Sequence, residues 1–136
     1  MTREVLCVRE DLDVDSARAL LTERAQGGAP VVNRERKLIG FVSMSDLLGD
    51  EANGATVDEV MVRAVVTLPE SATLAQAAAV MAFEGLHRIP VLRSDRSVAG
   101  IVSAIDVLRH LARAEGYLLP SYTQRQRTQS VRGSRC

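Results

Sequence analysis

Displaced by 60 positions, this chain matches itself, and that internal repeat limits its possible folds more than any other feature. Gly40-Phe41-Val42-Ser43-Met44-Ser45-Asp46 falls on Gly100-Ile101-Val102-Ser103-Ala104-Ile105-Asp106. The register runs without a gap from Met1/Met61 to Leu48/Leu108. Identical pairs include Arg3/Arg63, Val5/Val65, Glu10/Glu70, Ala17/Ala77, Pro30/Pro90, Val31/Val91, Arg36/Arg96 and Val42/Val102. Two copies of one small unit, related by a pseudo-two-fold axis, are the direct implication. Any site built by one copy has a potential twin.

Each copy predicts the same order of elements. An apolar strand (5–8, 65–68) leads to a helix (14–25, 74–85) whose apolar positions recur at helical spacing: Val14, Ala17, Leu20, Leu21 and Leu74, Ala77, Ala78, Met81. Asp13 and Thr73 stand where N-caps belong. Gly27-Gly28 is expected to stop the first helix, and Gly85 to begin the exit from its counterpart. Two strands joined by polar turns follow (30–33 and 38–43; 89–93 and 98–103), and a last helix closes each copy (45–48; 105–115). The polar stretch 49–54 reads as a joint, and 57–61 as a helical turn entering the second copy. The domain reading is one repeat over 1–50, a linker over 51–56, a second repeat over 57–116, and an Arg-rich, flexible tail over 117–136.

At 136 residues and 46% hydrophobic, the chain has enough apolar material for a core. Only 3% is aromatic and Trp is absent, so that core is aliphatic, and stacking of single-stranded nucleic acid is disfavoured. The formal charge is zero but uneven: Arg125, Arg127, Arg132 and Arg135 lie in the last sixteen residues with no acid beside them. Removing those four from 17 leaves 13 basic against 17 acidic residues, dispersed rather than gathered into a nucleic-acid surface. Cys7 and Cys136 make no disulfide framework, no signal peptide opens the chain, and 74–83 is too short to span a bilayer. A cytoplasmic protein without membrane attachment is expected. No Cys/His spacing suits zinc, no nucleophile elbow occurs and no Walker-type loop is present, so neither a metal nor a catalytic constellation is expected.

The doubled Ser-x-x-Asp carries the chemistry. Ser43 and Ser103 stand where a strand becomes a helix, so free N–H groups and a partial positive charge suit a phosphate there. Asp46 and Asp106, acceptors when ionised, suit the neighbouring hydroxyls of a ribose. The same spacing is also that of a capping box, in which Ser and Asp serve only the helix. His87-Arg88 is a second candidate, a donor and a phosphate-matching fork that the first copy replaces with Gly27-Gly28. Its plainer reading is a polar loop leaving a helix.

The order strand–helix–strand–strand–helix, twice, with Gly-h-h-Ser-x-x-Asp ending the last strand, resembles a tandem pair of CBS domains (a Bateman module) over about residues 1–116. Val57-Asp58-Glu59-Val60-Met61, Val65-Val66-Thr67-Leu68-Pro69-Glu70 and His87-Arg88-Ile89-Pro90-Val91 support the resemblance, as does Ala29-Pro30-Val31-Val32 in the first copy. It implies a mixed α/β (α+β) fold of two pseudo-symmetric β-α-β-β-α repeats. It also implies a regulatory, non-catalytic module that binds AMP, ADP, ATP or S-adenosylmethionine between the copies and pairs with a second copy of itself as a homodimer. No tightly bound cofactor is implied, and the regulated partner is not named by the sequence.

By this resemblance, Asp46 and Asp106 hold ribose, and Ser43 and Ser103 lie near phosphate. The phrase His87-Arg88-Ile89-Pro90-Val91 is similar to one in the gamma subunit of AMP-activated kinases, which implies phosphate contacts for His87 and Arg88. Residues opening the first strands, Arg3 and Val5 with Arg63 and Val65, are implied to flank the base, against a plainer reading as strand packing and a solvated Arg. The family's lead-in segment precedes the second copy but not the first, so three readings stay open: the sequence is trimmed, the true start lies upstream, or the first cleft is open. A ligand-free dimerisation or protein-interaction module is the alternative.

Overall fold

The computed structural model describes residues 5–117. The first copy comprises β1 (Val8–Arg9), α1 (Val14–Glu23), β2 (Gly28–Val32), β3 (Leu38–Ser43) and α2 (Met44–Leu48). After a 3-10 turn (Asp50–Ala52) come α3 (Val57–Val60), β4 (Leu68–Pro69), α4 (Leu74–Glu84), β5 (Arg88–Leu92), β6 (Val98–Ser103) and α5 (Ala104–Ala114). Each copy forms a three-stranded sheet with a parallel and an antiparallel pair. The pairings repeat at the 60-residue offset: Gly28 opposes Ser43 as Arg88 opposes Ser103, and Val8 opposes Val31 as Leu68 opposes Val91. Even the irregularity recurs, between Val31 and Val32 and between Val91 and Leu92.

The helix starts follow local chemistry. The Asp13 carboxylate accepts from the Ser16 backbone N–H at 3.0 Å, and Thr73 accepts from Gln76 N–H at 3.1 Å, each satisfying a donor that the first turn leaves without a partner. The exits differ from expectation. Gly85 does end α4 in the left-handed region at φ 68°. In α1 that role falls to Ala25 at φ 50°, with Gln26 N–H closing back on the Leu21 carbonyl at 2.9 Å. The chain has therefore turned before Gly27, and Gly28 is free to open a buried strand. The first strands are also shorter and later than expected. Val5–Cys7 is buried and apolar, but it packs as an approach to β1, whose two residues alone pair with β2.

Three apolar clusters hold the molecule together. One belongs to the first copy and includes Leu6, Val14, Leu21, Val31, Val42 and Leu47. Another belongs to the second copy and includes Leu68, Met81, Ile89 and Val102. Between them lies a seam made by both copies: Val5, Cys7, Val32 and Leu38 against Leu92, Val98 and Ile101, with Val65 packed beside them. Each buried Leu, Ile or Val contributes about 1.5–3 kcal/mol, so this seam fixes how the copies sit together. The hairpin tips add to it. Lys37 and Ser97 bridge, Leu38 N–H donates to the Arg96 carbonyl at 3.1 Å, and Lys37 Nζ lies 3.7 Å from Asp95.

The segment that introduces the second copy does not pack on it. Ala52, Ala55 and Val57 are buried in the first copy's cluster. Val14 N–H donates to the Ala55 carbonyl, Val57 N–H to Leu12 and Asp58 N–H to Glu10, at 2.9–3.0 Å. Val62 and Phe41 then exchange two backbone hydrogen bonds of 2.8 Å. The lead-in of one copy thus packs on and covers the other.

Cys7 corrects another expectation. It is disulfide-bonded, where the sequence reading expects no disulfide framework. The residue packs in the seam between the copies and also borders a cavity. The tail expected over 117–136 falls almost wholly outside the described residues, as does Arg3. Among the described residues, no helix is long and apolar enough to cross a membrane.

Candidate functional site

Antiparallel pairing of β5 with β6 places the start of one strand beside the end of the other. Arg88 therefore lies level with Ser103, and the sequence brings His87-Arg88 to the mouth of α5. Here a cavity of about 500 Å³ opens between the copies, within the ordinary range of roughly 300–1,000 Å³ for small-molecule sites. His87, Arg88, Ser103 and Asp106 line it, together with Val5 from the first copy. Five sequence candidates thus meet in one place. Gln26, Gly28, Ile101, Ile105 and Arg109 complete most of the wall.

Both Ser-x-x-Asp motifs are capping boxes. Ser103 N–H donates to Asp106 Oδ2 at 2.9 Å, and Asp106 N–H returns to Ser103 Oγ at 3.1 Å. The same pair of bonds joins Ser43 and Asp46 at 2.9 and 3.2 Å. The first N–H of each helix is also engaged: Ala104 donates to the His87 carbonyl and Met44 to that of Gly27, both at 2.8 Å. The box preorganises both motifs, so capping and ligand recognition are compatible uses of the same residues.

Beyond the boxes the two ends differ. Ser43 Oγ bonds to Asp46 Oδ2 at 2.8 Å and lies 2.9 Å from Ser45 Oγ, where the second copy has Ile105. The Phe41 ring packs so tightly on Gly28 that a β-carbon there would stand 2.7 Å from it. Met61 presses on Gly40 in the same way, at 2.5 Å from such an atom. Ile101, the counterpart of Phe41, instead borders the cavity. The helix behind the motif has five residues in the first copy and eleven in the second, so the aligned peptide dipoles are more developed at Ser103. Ser43 and Asp46 line neither described cavity, and neither do Arg63 and Val65. Arg63 is exposed and Val65 belongs to the seam, which matches their plainer reading.

Arg109 is the residue that sequence reasoning passed over. It lies three positions beyond Asp106, on the same helical face, and that spacing was the available signal. Gln26 was also missed; its side-chain amide donates to the Gly28 carbonyl at 2.7 Å and so borders the cleft from the first copy.

A second cavity, of about 560 Å³, lies at the opposite ends of the strands, by the hairpin tips. Arg9, Arg34, Arg36 and Arg93 surround an apolar floor that includes Val8, Leu12 and Leu20. Asp95 beside it is held below the ordinary carboxylate value, first by hydrogen bonds from Ser97 and then by the charges of Lys37 and Arg93. None of the sequence candidates lies there.

The CBS domain family model matches residues 1–52 and 57–113. The chain belongs to the CBS domain family. As a tandem CBS pair it is 30% identical, over 106 residues, to inosine-5'-monophosphate dehydrogenase of Thermoplasma acidophilum. That match covers 78% of this chain and 21% of the dehydrogenase, so the chain spans about a fifth of that relative's length. A crystal structure of CBSX2 in complex with AMP superposes with a TM-score of 0.75 at 27% identity, covering 82% of this chain and 90% of that one. The CBS domain pair of MJ0100, solved with 5'-methylthioadenosine and S-adenosyl-L-methionine, shares the fold with a TM-score of 0.71 at 24% identity, covering 81% and 93%. The tandem pair and the mixed α/β architecture expected from the repeat are therefore both found.

Proposed function

We propose that this CBS pair is a regulatory module that binds one adenosine compound per chain, in the cleft between the copies at the start of α5. The observation that carries the reading is the convergence of Val5, His87, Arg88, Ser103 and Asp106 on one cavity. Asp106 supplies acceptors for ribose hydroxyls, Ser103 and the start of α5 face phosphate, and Val5 and Ile101 offer apolar surface to a base. The AMP complex of CBSX2 supports this ligand class. No turnover is assigned to the module; its output is a change of geometry, which requires that the ligand bind two arrangements with different affinity.

The outer face of α5 supports a homodimer as the thing rearranged. Ile105, Leu108 and Leu111, at helical spacing, are 51%, 58% and 59% exposed, although they are large and apolar. Ile105 also borders the cleft, so one helix touches both the ligand site and the pairing face. Leu108→Asp is expected to convert a dimer into a monomer in light scattering.

Calorimetry of the full chain with AMP, ADP, ATP and S-adenosylmethionine tests the main reading. Binding of at least one, with a stoichiometry of one per chain, is expected. No heat and no thermal shift with any of them would leave the ligand-free assembly module as the function. A regulated partner, inside the cell or in the same longer protein, would then be sought through the α5 face.

A further inference from the structure

We propose that the cavity at the hairpin tips is a second binding site, and that it takes an amphipathic carboxylate, with one anionic head among the arginines and a hydrocarbon body on the apolar floor. It shares no lining residue with the cleft at the start of α5, so the two sites stand or fall separately.

Both copies build this cavity of about 560 Å³. The floor of Val8, Leu12, Leu20 and Val32 comes from β1, the turn after it, α1 and β2. Arg9 enters from β1, Arg34 and Arg36 from the β2–β3 turn, and Arg93 from the residue after β5. Asp95 is already engaged: it accepts from the Ser97 N–H and hydroxyl at 2.9 and 2.6 Å and lies 3.7 Å from Lys37 Nζ. Arg34 and Arg36 form no ion pair with any described residue. Arg9 Nη2 reaches Asp11 at 3.3 Å, but Arg9 Nε is buried and has no hydrogen-bond partner among the described residues. An N–H taken out of water without an acceptor is costly, so an oxygen brought to it is favoured. The internal repeat shows that this charge is not part of the scaffold. Sixty positions away, Arg9, Arg34 and Arg93 correspond to Pro69, Ser94 and Asn33, and of the four only Arg36 recurs, as Arg96. The floor shrinks as well, from Leu12 and Leu20 to Ala72 and Val80.

These features choose the ligand class. Four arginines against the carboxylates of Glu35 and Asp95 leave two positive charges in excess on the lining. That excess suits a head of single charge, and a guanidinium fork matches a carboxylate in shape as well as charge. The floor asks for a body without polar atoms, which a sugar or a bare inorganic anion does not supply. Burying hydrocarbon strengthens binding by up to about fourfold for each methylene that leaves water. A charge-assisted hydrogen bond adds about tenfold, and less from Arg34, which is exposed.

The test is calorimetry of the full chain with hexanoate, octanoate and decanoate, kept below micelle-forming concentrations, beside acetate (the head alone) and decanol (the body alone). Decanoate should bind once per chain, and affinity should climb along the series by up to about fourfold per methylene. Acetate and decanol should each bind at least about tenfold more weakly than decanoate. Arg9→Gln and Arg34→Gln should each weaken decanoate by about threefold to tenfold, and the control Arg113→Gln, on α5 and outside the cavity, should not. Amide shifts in NMR should centre on Val8, Leu12, Leu20 and Arg34. Decanol binding as tightly as decanoate would overturn the site, since the arginines would then contribute nothing. Decanoate affinity unmoved in both variants, or no decanoate binding at all, would overturn it too. A shift map centred on His87 and Asp106 would place the anion in the other cleft and do the same. Failure of every adenosine compound to bind bears only on that other cleft. Circular dichroism of each variant separates loss of binding from loss of fold. A variant that loses its fold is replaced by Arg→Lys at the same position, which keeps the charge but not the fork and should still weaken decanoate.

Discussion

The Ser43 end of the first copy and the Ser103 end of the second begin from the same seven-residue phrase and finish as different objects. Their strands pair alike, their boxes close alike, and their helices start alike. The difference comes from what arrives from elsewhere. At Ser43, the segment 52–62 packs down, Phe41 takes it as an extra strand partner, and the ring fills the space over Gly28. At Ser103, the corresponding strand position is the smaller Ile101, and an arginine replaces the buried glycine. A motif copied with its strands and helix is thus only half of a site; the other half is the tertiary neighbour that leaves room or takes it.

Five perturbations break this contrast, in falling order of effect. Leu47 is fully buried in the first copy, whereas its counterpart Val107 is partly buried. Leu47→Ala should cost about 2–5 kcal/mol by chemical denaturation, and Val107→Ala clearly less; equal losses would mean that the two cores are equally tight. Gly28→Ala forces a methyl against the Phe41 ring and the Val42 carbonyl and should cost about 1–3 kcal/mol. Gly27→Ala, with only Arg88 Nη1 near, should melt close to the parent.

Asp106→Ala should weaken nucleotide binding about tenfold or more, and Asp46→Ala should leave it unchanged while both lose a helix-start contact. A matching loss from Asp46→Ala in calorimetry would place a ligand at the sealed end as well. Arg36 and Arg96 sit at φ 64° and 71° in the two hairpin tips. Changing either to Gly relieves the same left-handed strain and should raise stability by up to about 1 kcal/mol in both copies. This symmetric outcome calibrates the asymmetric ones.

The smallest effect is one of pH. Asp13 lies below the ordinary value of 3.8 because the Ser16 hydroxyl, then its backbone N–H, hydrogen-bonds the carboxylate. Its folded value being the lower one, the carboxylate contributes stability above about pH 3.8, and that contribution is lost as pH falls through the depressed folded value. Thr73, which caps the second copy's equivalent helix, does not titrate. Asp13→Thr should therefore flatten the acid limb of the stability curve, read by urea midpoints between about pH 3 and pH 6; an unchanged slope would assign that limb to other groups.

Much of the fold was legible because it is local. The alternation around Pro30 and Pro90, the caps at Asp13 and Thr73, and the glycine at 85 each act through neighbours in sequence. What escaped was decided at a distance. Gly27-Gly28 looks like a helix stop because glycine commonly is one, yet Ala25 makes the turn, and Gly28 instead admits the Phe41 ring and the Val42 carbonyl of its own copy. The lead-in segment was assigned to the copy it precedes, since nothing in 52–62 states which core it will enter. Of the site, His87, Arg88, Ser103, Asp106 and Val5 were named and meet in space, while Ser43 and Asp46 line neither described cavity. Arg109 carried a periodic signal that went unused because no motif pointed to it.

The docking of 52–62 onto the first copy has a consequence for anyone dividing this chain. The unit that was duplicated ends near residue 50, but the unit that folds runs on through Val62, so the genetic period and the structural period are out of phase. A cut at the polar joint would strip the first half of Ala55 and Val57 and hand the second half an apolar strip with nothing to cover. A fragment boundary after Val62 follows the grain of the molecule, and a tandem array built from this sequence would join end to end only if each piece carried its neighbour's opening segment.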